Sequence, residues 1–243
     1  MKSVISAAQA AARIPDGAVL MIGGFMGVGS PHRMIDALVE CGRGSFTVIA
    51  NDSARPGIGI GKLIDGRRIR RLVVSHIGTN PETQRQMITG EIEVELVPQG
   101  TLAERVRAGG FGLGGILTKT GLGTPVEDGK PTFAVDGETW LVERPLRADF
   151  ALVAAKQADY VGNLCYQLTA QNFNPIMAMA ADIVIAEAEE IVAVGIVPPD
   201  MVRTPGVLVD AMLRGDASAR DLQGAVATAE RAAPATGAAR SQQ

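Results

Sequence analysis

At 243 residues, with 47% hydrophobic and 20% charged side chains, the chain is long enough to bury a sizeable core and is not composed like a disordered protein. A net charge of −3 and 23 scattered lysines and arginines supply no basic field, so nucleic-acid binding is not expected. Two cysteines, Cys41 and Cys165, are too few and too far apart for a disulfide framework or a zinc site; no metal is expected, and free thiols fit a reducing compartment, the cytoplasm by default.

The first segment, Val4 to Arg13, reads as a short Ala-rich helix ended by Pro15 and Gly17, with no sustained apolar core of the kind a signal peptide needs. No stretch is long enough to cross a membrane, so no membrane partner is expected. Asp16 to Pro31, reading DGAVLMIGGFMGVGSP, is the stretch around which the rest is organised. Ala18 to Ile22 is a continuous apolar run that suits a strand buried on both faces of a parallel sheet. A glycine-rich turn follows it. Ser30 is the expected cap of the next helix, with Pro31 in its first turn, Met34, Ile35, Leu38 and Val39 on one face and Gly42 closing it. A strand, glycine turn and helix in this order lets backbone NH groups point at a phosphate or a developing oxyanion; the plainer alternative is a tight turn whose glycines only permit packing.

Phe46 to Ala50 reads as a second strand, and Asn51 beyond its carboxyl end is either a site residue or a turn former. Leu72 to Ser75 makes a third strand, followed by His76, a base or donor on one reading and a packed ring on the other. Asn80 caps a helix with Pro81 in its first turn and Gly90 after its end, and Glu93 to Val97 alternates as a half-exposed strand. Thr101 and Glu104 form a T-x-x-E box for a helix ending at Gly109, with Gln99 at its entrance. Gly110 to Gly115 satisfies G-x-G-x-x-G formally, but a helix precedes it where a dinucleotide site needs a strand. No G-x-x-x-x-G-K-[ST] is present either, since Pro56 stands where its first glycine belongs and Leu63 follows Gly61-Lys62. Thr118 to Glu143 reads as β-hairpins with runs at Thr132 to Val135 and Thr139 to Val142. Phe150 to Ala154 and Ile183 to Ala186 return to buried-strand character. The expected fold is α/β: an open, mostly parallel sheet with helices on both faces and a β-hairpin excursion, one domain over 1–214 and a flexible tail over 215–243.

Gly23-Gly24-Phe25, three residues, Gly29, one residue and Pro31 resemble the signature of the family I (3-oxoacid) coenzyme A transferases. Ile49 to Asp52, Ser75 to Glu82, Val97 to Thr101, Thr120 to Thr124, Glu143 to Asp149, Asn172 to Pro175 and Thr204 to Gly206 resemble, in order, blocks of the alpha subunit of the acetate/acetoacetate type. The resemblance runs from about Asp16 to about Leu213. It implies covalent transfer of coenzyme A from a thioester (acetyl-, butyryl- or succinyl-CoA) to a 3-oxoacid such as acetoacetate or 3-oxoadipate, through a glutamyl-CoA intermediate. The nucleophilic glutamate of that family lies on the beta subunit, so the resemblance implies no catalytic residue here, a beta-subunit partner in an α2β2 assembly, and an acyl-CoA thioester as substrate with no permanently bound cofactor. Glu127-Asp128-Gly129 reads as an exposed turn rather than the nucleophile. Gly24, Phe25, Met26, Gly27, Val28, Gly29 and Ser30 match the coenzyme A and oxyanion segment, and Asn51 and Gln99 match polar positions near the acyl group. Phe111 and Lys119 depart from the family pattern of a small residue and a proline. The alternative reading is a non-catalytic acyl-CoA-binding α/β protein.

Overall fold

The computed structural model describes residues 1–215. In chain order the elements are β1 (Ser3–Val4), α1 (Ala7–Ala12), β2 (Val19–Ile22), α2 (His32–Glu40), β3 (Phe46–Ile49), α3 (Gly61–Asp65), β4 (Ile69–Val74), α4 (Pro81–Ile88), β5 (Glu93–Leu96) and α5 (Gln99–Gly110). They continue with β6 (Ile116–Thr118), β7 (Thr132–Val135), β8 (Glu138–Glu143), β9 (Ala148–Asp159), β10 (Leu164–Cys165), α6 (Asn174–Met179), β11 (Ala181–Val192) and β12 (Ala211–Arg214).

The main sheet runs β1-β12-β11-β9-β2-β3-β4-β5 with every neighbouring pair parallel, and β10 joins β9 antiparallel. Successive side chains of a strand point to opposite faces, and β2 divides accordingly. Leu20 and Ile22 enter one core with Met34, Leu38 and Leu63; Met21 enters the other with Leu102, Val106 and Met177. Helices α1 to α3 therefore cover one face and α5 and α6 the other, as parallel strands require. From β2 the chain lays down β3, β4 and β5 in one direction, while β9, β11 and β12 extend in the other. Strand order reverses beside β2, and the crevice at the carboxyl ends of β2 and β9 is where open α/β sheets bind ligands.

The excursion is an antiparallel sheet in the order β6-β8-β7, with the β7–β8 hairpin turning through Asp136-Gly137. Both turn residues have positive φ (52° and 78°), the geometry that matches the strands' twist. Among the described residues no helix is long and apolar enough to cross a membrane.

Several local expectations need correction. The first helix is confined to Ala7–Ala12 because Ser6 and Gln9 form a capping box there, and Ser3–Val4 joins the sheet beside β12. Thr101 caps nothing: Pro98 caps α5 three residues earlier, which buries the Thr101 hydroxyl inside the helix without a partner. Strands β9 and β11 run twelve residues each, well past Ala154 and Ala186, because ladder pairing continues from Ala148–Ala181 to Asp159–Val192. From residue 216 on, the expected tail lies outside the described residues.

Leu20 is fully buried at the centre of this sheet. Leu20→Ala is expected to cost about 3 kcal/mol or more in urea titration, and a loss below about 1 kcal/mol would contradict the packing described.

Candidate functional site

The glycine-rich loop leaves β2 at the reversal of strand order, and its first residue stays in the sheet, the Gly23 NH donating to the Leu152 carbonyl of β9 at 3.0 Å. Phe25 and Val28 exchange backbone hydrogen bonds at 2.9 and 2.8 Å around Met26 and Gly27, whose φ values are 52° and 89°. The loop is thus a two-residue turn standing off the end of the strand. Gly24, at φ 125°, leaves no space for a side chain, because a Cβ there would lie 2.0 Å from the Ser30 Oγ. That contact reveals what Ser30 does. It packs against the loop's own start and caps nothing, because Pro31 occupies the N-cap position and α2 has no side-chain cap of the local kind.

Three side chains from distant elements brace the loop. The fully buried Asn174 at the start of α6 donates through Nδ2 to the carbonyls of Gly29 and Ala170, both at 2.9 Å, while its Oδ1 accepts from the Ala154 NH of β9 at 3.0 Å. Asn172 accepts from the Gly24 NH at 3.1 Å and donates to the Val28 carbonyl at 3.0 Å. Asp52, just past β3, takes the Met26 NH on both oxygens at 3.1 Å and the Ala54 NH at 3.2 Å. Burial pushes the Asp52 carboxyl up from its ordinary value against those bonds, which pull it down. His32 Nε2 lies 3.0 Å from the Gly27 carbonyl, and burial holds this imidazole below its usual range.

The amides of Gly24, Phe25, Met26, Val28 and Ser30 are consumed by these bonds. Those of Gly27 and Gly29 donate to no acceptor among the described residues. Fixed, unpaired NH groups are what a developing oxyanion needs.

On the β3 side the loop meets a polar cluster. Asn51 is buried, and its Oδ1 accepts from Gln99 Nε2 at 2.8 Å and from the Ser75 hydroxyl at 3.2 Å. Structure therefore joins the two sequence candidates Asn51 and Gln99 to each other. Through the neighbouring Asp52 it also ties them to the loop. His76 is exposed beside Asp52, paired with it by an isolated bridge. On the β9 side lies a cavity of about 340 Å³ lined by Val28, Gly29 and Ser30 of the loop and by Lys156 and Glu187 across from them. Glu127 stands apart in the excursion, its carboxylate accepting from the Gly123 NH at 2.6 Å. Lys119 lies over the Trp140 ring at 4.9 Å in that same small sheet.

The residues overlooked in the sequence are Asp52, Asn172, Asn174 and Glu187. The first three sit in blocks that carry the family resemblance, which marks them without saying what they hold. Nothing local marks Glu187.

The family profile described as Coenzyme A transferase matches residues 4–215. The chain is 57% identical over 195 residues to the acetate CoA-transferase subunit alpha of Escherichia coli strain K12, covering 80% of this chain and 89% of that one. It is 48% identical over 199 residues to the acetoacetyl-CoA:acetate/butyrate CoA transferase alpha subunit of Clostridium acetobutylicum, covering 82% and 91%. A crystal structure of an acyl-CoA transferase from E. coli O157:H7, a thioester complex with CoA, shares the fold at a TM-score of 0.79 and 22% identity. The chain spans about half of it, 88% of this chain against 47% of that one.

Asn174→Ala takes their partner from the Ala154 NH of β9, the loop carbonyl of Gly29 and the Ala170 carbonyl, and is expected to cost roughly 2 kcal/mol or more. Amide exchange over 23–30 is expected to speed up well before the sheet's does. Unchanged protection there would show that Asn174 does not hold the loop.

Proposed function

The chain belongs to the coenzyme A transferase family, and on that premise we propose that it is the alpha half of an enzyme moving coenzyme A between acetyl-CoA and acetoacetate. The nucleophilic glutamate would come from a beta subunit, in an α2β2 assembly in the cytoplasm, with the acyl-CoA thioester as substrate. The observation that carries this reading is the pair of unpaired loop amides, Gly27 and Gly29, held at the carboxyl end of β2.

The chemistry fits that arrangement. A carboxylate attacks the thioester carbonyl, forming a mixed anhydride and expelling the CoA thiolate. The thiolate then attacks the glutamyl carbonyl, releases the first acid and leaves an enzyme thioester. The incoming acid reverses both steps. Each tetrahedral stage places negative charge on one oxygen, and each fixed amide donor aimed at it is worth about 3 kcal/mol at the barrier. Gly27 and Gly29 are the donors in this reading. Asn51 and Gln99 spend one hydrogen bond on each other, leaving the Asn51 Nδ2 and the second Nε2 hydrogen of Gln99 as donors for the acyl carbonyl and carboxylate.

Acetoacetyl-CoA formation from acetyl-CoA and acetoacetate is the direct assay, run with this chain alone and then with its co-expressed beta chain. Activity is expected only in the mixture, with butyryl- or succinyl-CoA and 3-oxoadipate as comparison substrates to rank the acyl preference. Turnover by this chain alone would overturn the division of labour. Saturable acyl-CoA binding without transfer, even with the partner present, would overturn the enzyme reading.

A further inference from the structure

Glu187 lies in β11, in register with Ala154 of β9 and Leu213 of β12, and is 6% exposed. Its carboxylate reaches the start of α2, where Oε1 accepts from the Arg33 NH at 3.3 Å and Oε2 from the Met34 NH at 2.9 Å. A helix leaves its first amides without intrahelical acceptors, and here no nearby side chain takes them. The cap comes instead from a strand more than 150 positions further along the chain. Arg33 follows Ser30 by three residues, and Glu187 lines the same cavity as Gly29 and Ser30. We propose that Glu187 is a positioning residue for the acyl-CoA loop: its carboxylate sets where α2 begins, and so where Gly29 and Ser30 stand, and the loop's hold on its ligand changes with the proton on that carboxyl. This rests on the acyl-CoA reading above.

The electrostatics give the device a working range. Burial pushes the Glu187 carboxyl up to about 7, while the Met34 and Arg33 amides and the Arg33 charge pull it down and Asp36 pushes it up. Lys156 faces the same cavity but is bonded to Glu189 at 2.6 Å, and the Arg33 guanidinium is drawn to the Arg214 carbonyl at 2.6 Å. His32 shares the cavity wall. The folded value is above the unfolded one, so the stability contributed by the neutral carboxyl is complete below the ordinary value of 4.5 and is lost as pH rises through about 7. Ionised, the carboxylate makes two charge-assisted bonds to α2; neutral, one of its oxygens becomes a donor and can no longer accept as before. Rising pH therefore exchanges some stability of the fold for a firmer loop edge.

The test uses the complex with the beta chain and the variant Glu187→Gln, which keeps one acceptor of the same size and cannot ionise. Amide exchange protection over 24–34 and KM for acetoacetyl-CoA are followed on both sides of neutrality. In the natural protein, protection at Arg33 and Met34 is expected to rise, and KM to fall, as pH increases through about 7. In Glu187→Gln both profiles are expected to be flat, with KM raised about fivefold on the alkaline side and kcat little changed, as the loss of one charge-assisted bond implies. Identical profiles in the two proteins would overturn the proposal. If neither protein turns over acyl-CoA, the transferase reading has failed, and the exchange data still decide the role of Glu187. Should Glu187→Gln fail to assemble, Asp36→Asn removes the negative charge that adds to the upward push of burial on Glu187 and is expected to move the midpoint to lower pH; an unmoved midpoint would equally overturn the proposal.

Discussion

The loop depends above all on one buried amide. A chain cannot hold successive residues at positive φ at the end of a central strand unless its displaced carbonyls find donors, because unpaired carbonyls in a dry crevice cost more than the turn gains. Asn174 resolves this. Its Oδ1 is fixed by the β9 backbone, which leaves both Nδ2 hydrogens for the carbonyls of Gly29 and Ala170. The loop is thereby tied to the sheet it leaves, and Asn172 holds the loop's other side. The pairing of β2 with β9 is therefore more than a fold detail: it places the loop within reach of α6, a helix some 150 residues later in the chain.

This bracing sets what the site is able to do. Five of the loop's amides are spent on holding its shape, and in the proposed role the two left over, those of Gly27 and Gly29, would cost no reorganisation when charge appears on a substrate oxygen. A looser loop would offer more amides but aim none of them. Asp52 shows the same economy from the β3 side, where a buried carboxylate serves backbone NH groups, and the adjacent Asn51 turns its amide toward Gln99.

How much of this was legible depends on the range over which each interaction acts. The strand before the loop and the apolar face Met34, Ile35 and Leu38 follow from short periodic patterns, and the glycines announce a turn at the right place. The Asp-Gly hairpin of the excursion is equally local. What the sequence concealed is the bracing. Ser30 ahead of Pro31 looks like a cap because caps are usually local, yet the acceptor for α2 is Glu187, and Thr101 with Glu104 mimics a capping box that Pro98 has already made redundant. Asn172 and Asn174 lie in a block that carries the family resemblance, yet nothing in that block shows what they bind. Their partners in the glycine-rich loop lie more than 140 residues away, a distance at which residue pattern carries no signal.

The state of this chain's carboxylates bears on the proposed division of labour between two subunits. Attack on a thioester carbonyl requires a carboxylate oxygen free to approach along the line of the forming bond. Asp52 gives both oxygens to the Met26 NH and Glu187 gives one each to Arg33 and Met34. Glu127 is bonded within its own turn, and Glu143 is buried against Lys130. Each of these groups acts on the protein's own backbone or charges, and turning one toward a substrate would undo the bond it makes. A chain whose acidic groups hold the donor loop in place fits an enzyme in which the attacking carboxylate belongs to another subunit, because one carboxylate cannot both cap a helix and leave it to form an anhydride.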